Sequence, residues 1–245
     1  MIHPSKLVAH RGYQAKYPEN TALSLTKAIK AGAVFIELDV QFSADRLPII
    51  YHDVDLLRVS GTDLSVFLAD RADLLCQPAY EPARLGNKFI DEKISPLEIL
   101  VDILVANPQV TAFVEIKDES VDHCGREAMI QSVMEILQPV KQQSVMMSFD
   151  YPLAIAAREA GWPMVGVVLK SWDDLQHPEL ALALPDYIYS NYNIIPDQYD
   201  LRNSPQLAAA QLVTYEVGTA ALAQTLLGRG VDMLETFEIE VLLGA

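Results

Sequence analysis

The sequence predicts an α/β protein: a closed (β/α)8 barrel of the TIM type with a small insertion after its second strand. Three observations lead there. Short apolar, β-branched runs recur along the 245-residue chain with helix-like segments between them, an alternation that predicts a parallel sheet. The runs are apolar throughout rather than strictly alternating, as in strands covered by helices. The polar residues with chemical potential stand at the C-terminal ends of these runs, the end where such a barrel gathers its reactive groups. An open, doubly wound sheet is the competing arrangement.

In chain order, strands are predicted over residues 7–10, 35–40, 49–51, 112–116, 144–149, 165–169, 187–189, 212–215 and 233–235. The first helix is predicted over 21–31. Leu25, Ala28 and Ile29 fall at helical spacing there, with Asn20 or Thr21 as cap and Gly32 as stop. A second, over 96–106, follows Ser95 as a capping residue and has Pro96 at its first position. Further helices are expected over 126–137, 151–160 and 219–227, the last two closed by Gly161 and Gly228. Residues 54–94 break the rhythm: one helix-like piece over 64–75 precedes a polar, proline-bearing segment. This stretch reads as an insertion on the reactive face, so residues 1–245 are expected to form a single barrel domain. No internal repeat period is visible.

Composition narrows the function. Hydrophobic residues make up 51% of the chain, enough for a sizeable core, and the formal net charge is −15. That charge argues against nucleic acid as a partner and against docking on anionic membranes, while leaving room for one local basic pocket. The start, "MIHPSK", lacks the basic and apolar regions of a secretory signal, and the longest apolar runs are too short to span a bilayer. A cytoplasmic protein without stable membrane anchoring is expected. Cys76 and Cys124 are too few for a disulfide framework and read as ordinary thiols. The oligomeric state leaves no mark on the sequence.

In "VFIELDVQ", Glu37 and Asp39 are two apart on a strand and share a face, with Ile36, Leu38 and Val40 on the other. Two carboxylates on a buried strand repel unless something compensates them, and a hard divalent cation does so. The bland alternative is a salt-bridged pair. In "TAFVEIKDES", Glu115 and Lys117 again share a strand face, and a barrel would place Glu115 beside the first pair. Three carboxylates suit Mg²⁺ or Ca²⁺ better than zinc. His10 and His52 each close an apolar run, where an acid/base residue would stand, whereas His3, His123 and His177 are expected at the surface. Arg11 and Lys117 add positive charge able to hold a phosphate ester. A cation site, two histidines and two cationic side chains together describe phosphoryl transfer.

The series His10-Arg11-Gly12, Pro18-Glu19-Asn20-Thr21, Glu37-Leu38-Asp39-Val40, His52-Asp53 and Glu115-Ile116-Lys117 resembles the glycerophosphodiester phosphodiesterase family. The likeness is strongest over residues 7–58, and "ISPLEIL", "MSFD" and "GVDMLET" extend it loosely along the chain. The resemblance implies a (β/α)8 barrel with its insertion after the second strand. It implies one divalent cation, Mg²⁺ or Ca²⁺, on Glu37, Asp39 and Glu115, an acid/base pair in His10 and His52, and Arg11 and Lys117 on the phosphate. The implied reaction hydrolyses a small-molecule glycerophosphodiester to sn-glycerol 3-phosphate and an alcohol. Gly12 is then expected to bring the backbone close to the phosphodiester.

The last third departs from the family pattern. "YEVG", Tyr215 to Gly218, stands where the family has Trp-Thr-Val-Asn, and Thr236-Phe237 where it has Thr-Asp. Strand alternation sends Tyr215 and Glu216 to opposite faces. Tyr215 is chosen for the alcohol side, because an aromatic face also holds a quaternary ammonium. Two alternatives remain at this point. One is a phosphodiesterase for lysophospholipids or another glycerol phosphodiester, favoured by an apolar rim on the insertion to which Phe67, Leu68 and Tyr80 could contribute. The other is a non-catalytic barrel, which predicts loss of a histidine or an acidic residue that the chain retains.

Overall fold

Eight parallel strands close on themselves in the computed structural model, which describes residues 1–244. They are β1 (Leu7–Ala9), β2 (Phe35–Phe42), β5 (Thr111–Ile116), β6 (Ser144–Ser148), β7 (Met164–Val168), β8 (Tyr187–Asn191), β9 (Gln211–Tyr215) and β10 (Met233–Thr236). Each pairs in parallel with the next, and β1 pairs with both β2 and β10, which shuts the barrel. Alternation along each strand divides two cores. Val8, Phe113, Val145, Val168, Tyr189, Val213 and Met233 fill the interior. Leu7, Ala9, Ile36, Leu38, Val40, Val114 and Ile116 face outward into a mantle shared with the helices.

Most predicted elements lie within a residue or two of their observed bounds, and five readings need correction. The 49–51 run is not a barrel strand. It forms β3 (Pro48–Ile50), antiparallel to β2, and Ser95–Pro96 forms β4, antiparallel to β3. The reason is chain length: residues 43–47 make only a short turn, closed by the Ser43 N–H on the Leu47 carbonyl at 3.1 Å, whereas a parallel crossover needs a dozen residues or more. Ser95 consequently caps no helix. Its hydroxyl accepts the Ala22 N–H at 3.2 Å, and the following helix begins later, at Glu98–Ala106.

The helix-like piece at 64–75 is two short turns, Val66–Leu68 and Arg71–Leu74. Ala69 between them is extended, its carbonyl tied to the Ala44 N–H at 2.9 Å. Gly228 lies inside the helix Ala220–Arg229, which ends instead at Gly230 in the left-handed region. Strand–helix alternation also lapses between β8 and β9, where Pro196 and Pro205 punctuate a run of turns with no α-helix.

The insertion buries its own small cluster, in which Ile49, Tyr51, Leu56, Val59, Val66, Leu74 and Ile94 take part. It therefore stands on β3 as a packed outgrowth beside the C-terminal end of β2. No helix among the described residues is long and apolar enough to cross a membrane.

Candidate active site

The first strand delivers His10 and Arg11 by an abrupt turn. Arg11 and Gly12 both have positive φ, +50° and +81°. A Cβ on Gly12 would fall 2.5–2.7 Å from Ser24 and the Leu25 nitrogen, so only glycine fits. The close approach is thus to the first turn of the helix Ala22–Lys30, not to the reactive cavity as expected. Thr21 caps that helix, with Ser24 returning a bond to complete a capping box. The Asn20 side chain, free of capping, turns to the acidic cluster. Its Nδ2 donates to Asp39 Oδ2 at 2.8 Å, and its Oδ1 accepts the Asp39 N–H at 3.1 Å.

Glu37, Asp39 and Glu115 converge at the strand ends, with Asp39 and Glu115 in register across β2 and β5. All three are buried, and one oxygen from each lies within 4.8 Å of the others. The Arg11 N–H donates to Glu37 Oε2 at 2.9 Å, and the Arg11 guanidinium Nε lies 3.0 Å from Asp39. Lys117 Nζ donates to Glu115 at 2.8 Å and stands 3.7 Å from Asp39.

Charge is unevenly compensated. Burial first, then repulsion from Asp39, Glu235 and Glu115, pushes the Glu37 carboxyl well above the usual range. Burial also raises Glu115, against the pull of Lys117. For Asp39 burial acts upward too, but Arg11, Lys117, His52 and the Asn20 amide together hold it low. The donor set fits a hard cation. A Ca²⁺ with oxygens at about 2.3–2.6 Å spans about 4.6–5.2 Å between opposite ligands, and all three donors are carboxylates.

The two histidines differ in setting. The His10 N–H donates to the Thr236 carbonyl at 2.9 Å, and its buried ring places Nε2 3.9 Å from Glu235 Oε2. Burial, and next the charge of Arg11, depresses its pKa to about 3, so it is neutral. His52 follows β3. Its Nδ1 meets Asp53 Oδ1 at 2.6 Å, and Asp53 is gripped by Arg58 through Nε at 2.8 Å and Nη2 at 2.9 Å. Arg58 also forks onto Glu19 at 2.7 and 2.8 Å, and Glu19 accepts Arg11 Nη1 at 2.8 Å. An alternating chain of charge thus links His52 on the outgrowth to Arg11 on the barrel.

All eight residues expected at the site from sequence, namely His10, Arg11, Glu37, Asp39, His52, Glu115, Lys117 and Tyr215, line one cavity of about 140 Å³. Glu216 lines it as well, which corrects the expectation that alternation would turn it away: β9 ends at Tyr215, and the strand rule ends with it. Phe149, Val168, Tyr189 and Glu235 complete the wall. Sequence reasoning missed Glu235, Glu19 and Arg58. The signal for Glu235 was a charge in phase with Met233 on an otherwise apolar strand, whereas the Glu19–Arg58 contact spans 39 residues and has no local signature.

His3 and His177 are exposed as expected, whereas His123 is half-buried, with Nε2 3.0 Å from the Ser43 carbonyl and its ring packed on Phe67. A wider groove of about 940 Å³ runs along the helices Arg126–Leu137 and Tyr151–Glu159 and shares no residue with the reactive cavity.

A family model described as "Glycerophosphoryl diester phosphodiesterase family" matches residues 10–236. The human protein named glycerophosphodiester phosphodiesterase 1 is 34% identical over 152 residues, which are 58% of this chain and 42% of that protein. The chain thus spans less than half of that relative's length. A glycerophosphodiester phosphodiesterase of Caldanaerobacter subterraneus is 25% identical over 244 residues, covering 97% of this chain and 96% of the relative. Among solved structures, an Oleispira antarctica phosphodiesterase in complex with the product sn-glycerol-3-phosphate superposes with a TM-score of 0.83 at 22% identity. It covers 98% of this chain and 95% of its own, a likeness of fold.

Proposed function

The chain belongs to the glycerophosphoryl diester phosphodiesterase family, and from that premise we propose that it is a metal-dependent hydrolase, one catalytic barrel domain that cleaves glycerophosphodiesters to sn-glycerol 3-phosphate and an alcohol. The observation that carries this reading is the convergence of Glu37, Asp39 and Glu115 with His10, His52, Arg11 and Lys117 in one small cavity.

Glu37, Asp39 and Glu115 would hold one Mg²⁺ or Ca²⁺, and when bound the cation supplies a Lewis acid for the phosphoryl oxygens. Arg11 and Lys117 orient the phosphodiester. Both are pinned by carboxylates, so they present charge without having to be ordered on binding. His10, held neutral, takes the proton of the attacking hydroxyl. His52, whose Nδ1 faces the Asp53 carboxylate, delivers a proton to the departing alkoxide. The net reaction adds one water across a P–O bond.

The alcohol half lies toward Tyr215 and Glu216, an aromatic wall and a negative charge that suit choline or ethanolamine. A second reading, hydrolysis of lysophospholipids, is favoured by one observation: Val54, Leu57, Leu68 and Ile90 of the insertion are exposed. Of the rim residues expected from sequence, Phe67 instead packs against the outgrowth's core.

One assay tests both. Glycerophosphocholine, glycerophosphoethanolamine and lysophosphatidylcholine are incubated with the protein and Mg²⁺ or Ca²⁺, and the choline or ethanolamine freed from each is measured. Release from the first two supports the main reading and release only from the third supports the second. Release from none, with either cation, rejects both.

A further inference from the structure

Glu235 is a carboxyl that the proposed reaction does not use. It sits on β10 in register with Val8, two residues before His10 on the neighbouring strand, and is 3% exposed. It is the deepest of three neighbours, buried within β10, whereas Tyr215 ends β9 half-buried and Glu216 beyond it is exposed, so Glu235 belongs to the floor of the cavity. One of its oxygens, Oε2, faces His10 Nε2 at 3.9 Å, too far for a hydrogen bond. The other, Oε1, has no hydrogen-bond partner among the described residues. The hydroxyl of Tyr189, on β8 and 1% exposed, lines the same cavity and is likewise without a partner there. A buried acceptor and a buried donor thus face one small space, and leaving such groups unmatched is costly.

The floor is the wrong place for the phosphate. Glu235 is one more acidic group beside Glu37 and Glu115 and has no cationic partner of its own, because Arg11 and Lys117 sit with the carboxylate triad instead. Nor is the departing alcohol expected there, since that half varies in size and must leave through the open end. The invariant half of a glycerophosphodiester is short and neutral and carries hydroxyls. A hydroxyl donates once and accepts twice, so a single one can satisfy both orphaned groups.

We propose that Glu235 and Tyr189 form the floor of the glycerol subsite, with Glu235 accepting a hydrogen bond from a glycerol hydroxyl and Tyr189 donating one. The assignment rests on the glycerophosphodiester reading above. It makes Glu235 a specificity residue that discriminates a hydroxylated phosphodiester from its deoxy analogue, because the analogue leaves a buried carboxyl unmatched.

The test compares glycerophosphocholine with propylphosphocholine, which shares the alcohol but lacks both glycerol hydroxyls. Each is assayed by choline release with wild type, Glu235→Gln, Glu235→Leu and Tyr189→Phe. Wild-type kcat/KM should favour the hydroxylated substrate, and Glu235→Leu should shrink that preference by about 5- to 100-fold, the cost in wild type of a buried polar group that the deoxy analogue leaves unmatched. Glu235→Gln, which retains an acceptor, should keep part of it, and Tyr189→Phe should lose a smaller share. Thermal midpoints and Mg²⁺ titrations run alongside confirm that each variant folds and holds cation.

An equal loss on both substrates overturns the assignment and makes Glu235 a support for His10. A loss of Mg²⁺ affinity in Glu235→Leu overturns it in favour of a fourth cation ligand. An effect that follows the charge of the alcohol, seen by repeating the pair with phosphopropanol esters, places Glu235 on the alcohol side and also overturns it. Failure of wild type to cleave either choline substrate rejects the underlying reading itself.

Discussion

Asn20 holds Asp39 at two points, its amide nitrogen donating to the carboxylate at 2.8 Å and its amide oxygen accepting the main-chain N–H at 3.1 Å. The grip fixes one member of the acidic triad, on β2, from the turn that precedes the helix Ala22–Lys30. It also explains why the position is asparagine: φ is +54°, a region that asparagine tolerates better than most side chains do.

Asn20→Gly keeps that backbone conformation open and removes the amide. Cation affinity, read by calorimetric titration with Mg²⁺ and Ca²⁺, should fall about 10- to 100-fold, as for other residues that orient a metal ligand. Unchanged affinity would remove Asn20 from the site.

His10→Ala and His52→Ala should each reduce turnover by about 10²- to 10⁴-fold, the range for losing a general acid or base. His177→Ala, at an exposed ring that is not part of the cavity lining, is the control and should retain near-native turnover. Near-native turnover in His52→Ala would refute its role as proton donor.

Tyr215→Ala should raise KM for glycerophosphocholine by about 2- to 30-fold, the span of a cation–π contact from solvated to desolvated. KM for glycerophosphoglycerol should move much less. Equal effects on the two would leave Tyr215 as wall and nothing more.

Burial and mutual repulsion place Glu37, Glu115 and Glu235 above the ordinary carboxyl value of 4.5. In that range the folded chain keeps protons that the unfolded chain has lost, so the stability of the metal-free protein falls as pH rises. His10 acts the other way between about 3 and 6.5, and Asp39 only below 3.8, so above about 6.5 neither opposes the carboxyls. The melting temperature without cation should therefore drop as pH rises above about 6.5, and the rise produced by Ca²⁺ should grow with it. A cation effect independent of pH would contradict this account.

Glu37 and Asp39 were legible because a strand has period two, which puts residues two apart on one face. His10 and His52 were legible because each breaks an apolar run at its end. The barrel followed from the alternation of runs, but β3 passes for one of its strands because three apolar residues look alike in parallel and antiparallel pairing. Only the length of the preceding turn tells them apart. Glu235 escaped because a lone carboxyl in an apolar strand is ordinarily a solvated end, and nothing nearby says that the barrel closes over it. The ties from Arg58 to Glu19 and Asp53 were invisible for another reason: contacts between loops are set by the finished fold.

The outgrowth on β3 has its own buried cluster, and the side chain assigned to proton donation, His52, stands at its root. Its partner His10 and the acidic triad belong to the barrel. The two halves meet through Arg58, which reads the position of Glu19 on one side and Asp53 on the other. The candidate site is therefore bipartite in build: exchanging the outgrowth between homologous barrels would transplant the assigned proton donor together with the surface beside it. Such a graft would function only where an acidic residue waits at position 19 to receive the arginine.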